Sequence, residues 1–67
     1  MMGKYLSKCR ENAGIGKNQM CRDADIAFSQ LQDIELGKRN YGIDNLISYI
    51  MVVKKRDPAV LKVLEML

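Results

Sequence analysis

The chain has 67 residues, with 11 basic against 8 acidic side chains and a net charge of +3. A chain this short buries only about 60% of the surface its unfolded form exposes, so it needs a partner, a second copy of itself or very economical packing. Two cysteines and no histidine exclude a Cys/His zinc cluster and a disulfide-dense secreted scaffold, while a pI near 9.0 allows nucleic acid as a partner without requiring it.

Taken in order, the apolar spacing is helical nearly throughout. Leu6, Cys9 and Ala13 recur at i, i+3 and i+7, with Met2 one turn earlier, which predicts a first helix over residues 3–13. Gly14 supplies its stop, because glycine enters the left-handed conformation freely. A second segment over 17–24 places Met20, Cys21 and Ala24 on one face, and Asp25, a residue that tolerates left-handed geometry, breaks it. The third runs from 27 or 28 to 36 with Leu31, Ile34 and Glu35 inward; Gly37 ends it and a polar loop, Lys38-Arg39-Asn40-Tyr41-Gly42, follows.

The fourth segment starts near Ile43, with Asp44 suited to the positive end of the helix dipole. Its apolar repeat is Ile43, Leu46, Ile47 and Ile50, and it extends to 53 or 54, although Met51-Val52-Val53 is β-branched enough to form a strand instead. Asp57-Pro58 then reads as an N-cap followed by a first helical residue, opening a fifth helix over 59–66. Val60, Leu61, Val63, Leu64, Met66 and Leu67 wrap most of its circumference, leaving Lys62 and Glu65 as the polar side. The expectation is an all-α fold: one compact five-helix domain over 1–67.

No apolar run reaches the ~20 residues that cross a bilayer, and residues 1–4 lack the pattern of a signal peptide. A cytoplasmic protein is expected. Lys54-Lys55-Arg56 is too short for a basic tail and reads as a solvated connector. With no histidine, no paired carboxylates in a plausible cleft and no phosphate-binding glycine loop, neither an enzyme nor a cofactor, metal or small-molecule site is expected.

Segments two and three are each eight or nine residues long, joined by about three residues around Asp25-Ile26-Ala27. Two short helices joined by so tight a turn make a helix-turn-helix at about 17–36, in which the first helix crosses the phosphate backbone and the second enters the major groove.

Over residues 6–50 the chain resembles the Cro/cI-type (lambda-repressor-like, XRE) helix-turn-helix DNA-binding domain. The resemblance is carried by Leu6-x-x-Cys9-Arg10-x-x-Ala13-Gly14-Ile15, Gln19-Met20-Cys21, Ile26, Leu31-x-x-Ile34-Glu35-x-Gly37-Lys38-Arg39-Asn40 and Ile43-x-x-Leu46. It implies a small sequence-specific regulator of the phage or prophage Cro-like repressor kind, binding a palindromic operator in double-stranded DNA as a homodimer. It also implies an ion pair between Arg10 and Glu35 that clamps the first helix to the end of the third. By the same resemblance Phe28, Ser29, Gln30 and Asp33 face base edges with Gln32 beside them, and phosphates meet Lys17, Asn18, Lys38, Arg39 and Asn40. Gln30 suits adenine N6/N7 and Phe28 a thymine methyl; a helix N-terminus suits phosphate.

The chain departs from that pattern at Gly16, where Ser or Thr is usual, at Asp25 in place of the turn glycine, and at Tyr41-Gly42 in place of Pro-Ser. Asp33 on the exposed side of the third helix is the most awkward, since it either accepts from cytosine N4 or repels phosphate. A second reading, motivated by Asp33 and the modest charge, is a helix-turn-helix scaffold serving as a protein-interaction module of antitoxin-like or other partner-binding type. Surplus apolar surface over 51–67 marks an association segment, with Met51, Val52, Val60, Val63, Leu64 and Leu67 as the expected dimer interface. A dimer would set two recognition helices roughly 34 Å apart, one turn of DNA.

Overall fold

A computed structural model describes residues 2–38 and 41–66, the side chain of Met66 excepted. Its elements are α1 (Met2–Asn12), α2 (Lys17–Ala24), α3 (Phe28–Leu36), α4 (Ile43–Lys54) and a terminal 3-10 helix (Pro58–Met66). The architecture is all-helical, with no strand among the described residues; the ambiguous Met51-Val52-Val53 continues α4.

The first three helices end in the same way. Gly14, Asp25 and Gly37 all take positive φ, at 75°, 55° and 77°. Beyond each of them the next backbone N–H reaches back to the helix: Ile15 to Arg10, Ile26 to Cys21 and Lys38 to Asp33. These are Schellman-type ends, which satisfy carbonyls that would otherwise be orphaned. After α1 and α2 the chain drops an isoleucine, Ile15 or Ile26, into the core, so each stop signal also sets the direction of the next element.

The core is built from Leu6, Cys9, Ile15, Met20, Ala24, Ile26, Leu31, Ile34, Leu46, Tyr49, Ile50, Val53, Val60 and Val63. α1 packs on α3 and on the terminal helix, and α4 packs on α2 and on the terminal helix. At the α1–α3 contact Gly3 is buried so closely that a Cβ there would lie 2.5 Å from the backbone oxygen of Glu35 and 2.9 Å from that of Ile34. Cys9 is buried, Cys21 half-buried, and both are free thiols.

Two expectations change. The inner stripe of α4 is Leu46, Tyr49, Ile50 and Val53, whereas Ile43 and Ile47 face outward. The fifth element is a 3-10 helix, not an α-helix. With three residues per turn its side chains stack in columns: Val60 over Val63 in the core, Leu61 over Leu64 outside, Lys62 over Glu65 outside. Val60 and Val63 are fully buried within this one chain and therefore do not belong to an interface; Leu67 lies outside the described residues.

The terminal helix is held at its start. Asp57 Oδ1 accepts from the Ala59 backbone N–H at 3.1 Å, the cap its sequence suggested. The Tyr5 hydroxyl, from α1, donates to the Ala59 carbonyl at 2.6 Å. No described helix is long and apolar enough to cross a membrane.

Candidate nucleic-acid interface

The position of α3 is fixed by a buried polar clamp behind it. Arg10 Nε donates to Glu35 Oε2 at 2.7 Å, and the two side chains are only 7% and 8% exposed. Arg10 Nη2 adds a longer contact to Glu35 Oε1 at 3.4 Å, and Nη1 donates to the Ile15 carbonyl at 2.8 Å. One guanidinium therefore ties the end of α1, the α1–α2 joint and the last turn of α3. Arg10 and Glu35 pair as the sequence implied.

A third member of the clamp comes from α4. The Tyr49 hydroxyl donates to Glu35 Oε2, with the Leu6 carbonyl 3.3 Å away. Burial, and then the Glu35 carboxylate, push the Tyr49 phenol far above its ordinary pKa. Burial acts to lower the Arg10 pKa, but its hydrogen bond and charge interaction with Glu35 outweigh that and hold the guanidinium protonated. Among the described residues no buried side-chain nitrogen or oxygen lacks a hydrogen-bond partner, as a clamp in low dielectric requires.

The opposite side of α3 is open. Phe28, Ser29, Gln32 and Leu36 are exposed and Asp33 is half-exposed; at 28, 32 and 36 they share one helical face. Gln30 lies off this face. It is half-buried against α4, where its Oε1 accepts a hydrogen bond from Asn45 Nδ2 at 3.1 Å. Phe28 is 43% exposed, so it is a surface residue with a partly covered ring, and Leu36, absent from the sequence-based set, is 60% exposed.

The phosphate candidates fall at the rims. Lys17 and Asn18 are exposed in the first turn of α2, whose cap residue Gly16 is extended and supplies no side-chain hydrogen bond. The leading N–H groups of α2 therefore have no side-chain cap, which is the condition for meeting an anion. Lys17 and Gln32 line one groove with Ser7, Glu35 and Leu36, joining the start of α2 to the outer face of α3. Lys38 is exposed directly after α3; Arg39 and Asn40 lie outside the described residues. Asp23 and Asp25 are exposed on the same helix-turn-helix unit and offset part of this positive charge.

The structure thus brings Phe28, Ser29, Gln32, Asp33 and Lys17 to one side and turns Gln30 toward α4. Sequence reasoning missed Gly3, Tyr49, Asn45 and Leu36. Only Tyr49 carried a usable signal, as the i+3 neighbour of Leu46. Comparison of the chain with protein families, with characterised proteins and with solved structures gives no match.

Proposed function

We propose that this protein is a small sequence-specific DNA-binding regulator of Cro-like repressor type, without enzymatic activity or cofactor, that works as a dimer on a palindromic site in the cytoplasm. The observation that carries the reading is the arrangement of α3: its inner side is clamped by Arg10, Glu35 and Tyr49, while its outer face is left open beside Lys17. A rigidly held helix with a solvent-facing polar edge suits insertion into a major groove. Ser29, Gln32 and Asp33 would address base edges and Phe28 a thymine methyl. Lys17, Asn18, Lys38 and the adjoining Arg39 and Asn40 would set register on phosphates.

The dimer face supported by exposure is Ile47, Met51, Leu61 and Leu64, with Val52 half-buried at its border. It joins the outer side of α4 to the exposed column of the terminal helix along one apolar groove. Sedimentation at rising concentration tests it: a monomer at high micromolar concentration removes the dimer from the proposal.

Selection from a random duplex library, followed by titration at several salt concentrations, tests the central claim. A selected palindrome whose affinity falls linearly with log salt supports it; no enrichment and no salt-dependent binding refutes it. The competing reading, a protein-interaction module, draws on two large apolar side chains, Phe28 and Leu36, on the outer face of α3. It predicts salt-insensitive capture of a protein partner that Phe28→Ala abolishes.

A further inference from the structure

The groove beside the open face of α3 has a wall that belongs to neither helix of the helix-turn-helix. Ser7 of α1 lines it together with Lys17, Gln32 and Leu36, so α1 borders the same space as the start of α2 and the outer side of α3. Gly3 brings α1 this near: a Cβ there would lie 2.5 Å from the Glu35 backbone oxygen, and the lack of a side chain lets the first turn of α1 rest on the last turn of α3. Arg10, on the same side of α1, closes the contact through Glu35. Helical geometry orders the residues on the other side of Ser7. At about 100° per residue, Lys4 stands about 60° from Ser7 around the axis of α1, Lys8 about 100° and Tyr5 about 160°. Tyr5 is fastened to the terminal helix through the Ala59 carbonyl, so Lys8 lies toward that helix and Lys4 toward the groove. Both lysines are exposed. Side chains of an α-helix tilt toward its N-terminus, which carries Lys4 toward the end of α3, where Lys38 is also exposed. Glu11 shares this flank at the other end of α1, where its Oε1 accepts from Ser7 Oγ at 3.3 Å.

We propose that α1 is part of the DNA interface and that Lys4 binds a backbone phosphate beside the groove; this rests on the DNA-binding reading above. Lys17 opens α2, Lys38 follows α3 and Lys4 belongs to α1, so each of the three helices around the groove supplies one ammonium group. The footprint therefore extends beyond the helix-turn-helix. Such a contact adds affinity and register but carries no sequence information. Each phosphate neutralised steepens the fall of log affinity with log salt by about 0.9.

Titration of the duplex selected by the intact protein, at several salt concentrations, with Lys4→Gln, Lys4→Arg and Lys8→Gln alongside it, tests this. Lys4→Gln reduces the salt slope by about 0.9 per protomer and weakens binding about eightfold per protomer at about 0.1 M salt, while the selected sequence stays the same. Lys4→Arg keeps the charge and with it the slope. Lys8→Gln removes the same net charge from the neighbouring flank of α1 and leaves the slope as it is. Both positions are exposed, so the urea midpoints of all four proteins agree. If Lys4→Gln binds as the intact protein does, or Lys8→Gln loses as much, Lys4 holds no phosphate and the DNA-binding reading stands. If the intact protein shows no salt-dependent binding to DNA, both fail.

Discussion

The two sides of this small molecule handle burial in opposite ways. Behind α3, one arginine, one glutamate and one tyrosine are withdrawn from water and their polar atoms are partnered. Along α4 and the terminal helix, Ile43, Ile47, Met51, Leu61 and Leu64 remain exposed. A buried charge must be matched inside the chain because its desolvation is costly, whereas an exposed apolar side chain can wait for another surface. The first side fixes the fold; the second is where association is free to occur.

Breaking the clamp has the largest expected effect. Arg10→Ala strands the Glu35 carboxylate, 8% exposed, and costs about 3–5 kcal/mol, a large part of the total stability of so small a domain. Urea titration measures it; a loss below about 1 kcal/mol would show that the pair does not organise α3. Gly3→Ala follows. Its methyl meets the Glu35 backbone oxygen, so α1 must shift away from α3 at about 1–3 kcal/mol, offset by up to about 1 kcal/mol of regained helix propensity.

Tyr49→Phe sharpens the contrast by removing one hydroxyl and leaving the ring. The Glu35 carboxylate loses a donor, at about 1–3 kcal/mol. Because the folded state raises the Tyr49 pKa, its contribution is complete below the ordinary tyrosine value of about 10 and declines as pH rises above it, since the unfolded chain then releases a proton that the folded chain retains. Denaturation followed across alkaline pH should fall more steeply for the unaltered protein than for Tyr49→Phe.

The smallest effect on folding belongs to the other side. Leu64→Asp changes an exposed position, so monomer stability should stay within about 0.5 kcal/mol while self-association disappears in sedimentation. Unfolding of the monomer by this substitution would mean that Leu64 belongs to the core.

Sequence periodicity and stop signals determined the order and approximate limits of the helices, because 3.6-residue spacing, Gly14, Gly37 and Asp57-Pro58 act locally. The pairing of Arg10 and Glu35 was legible only through the family resemblance, because nothing local joins residues 25 apart. Tyr49 carried a signal, as the i+3 neighbour of Leu46, but not a deciding one: the stripes Ile43/Leu46/Ile47/Ile50 and Leu46/Tyr49/Ile50/Val53 both satisfy helical spacing, and isoleucine is the more apolar choice. The folded chain turns the second inward, where the Tyr49 hydroxyl gives the buried Glu35 carboxylate another donor. The terminal helix followed the same logic. Its composition suited an α-helix wrapped in apolar residues, but only packing against α1 and α4 separated the buried column, Val60 and Val63, from the exposed one, Leu61 and Leu64. Sequence alone therefore determined an all-helical chain with a tight helix-turn-helix; tertiary structure decided which faces are closed, because burial depends on partners distant along the chain.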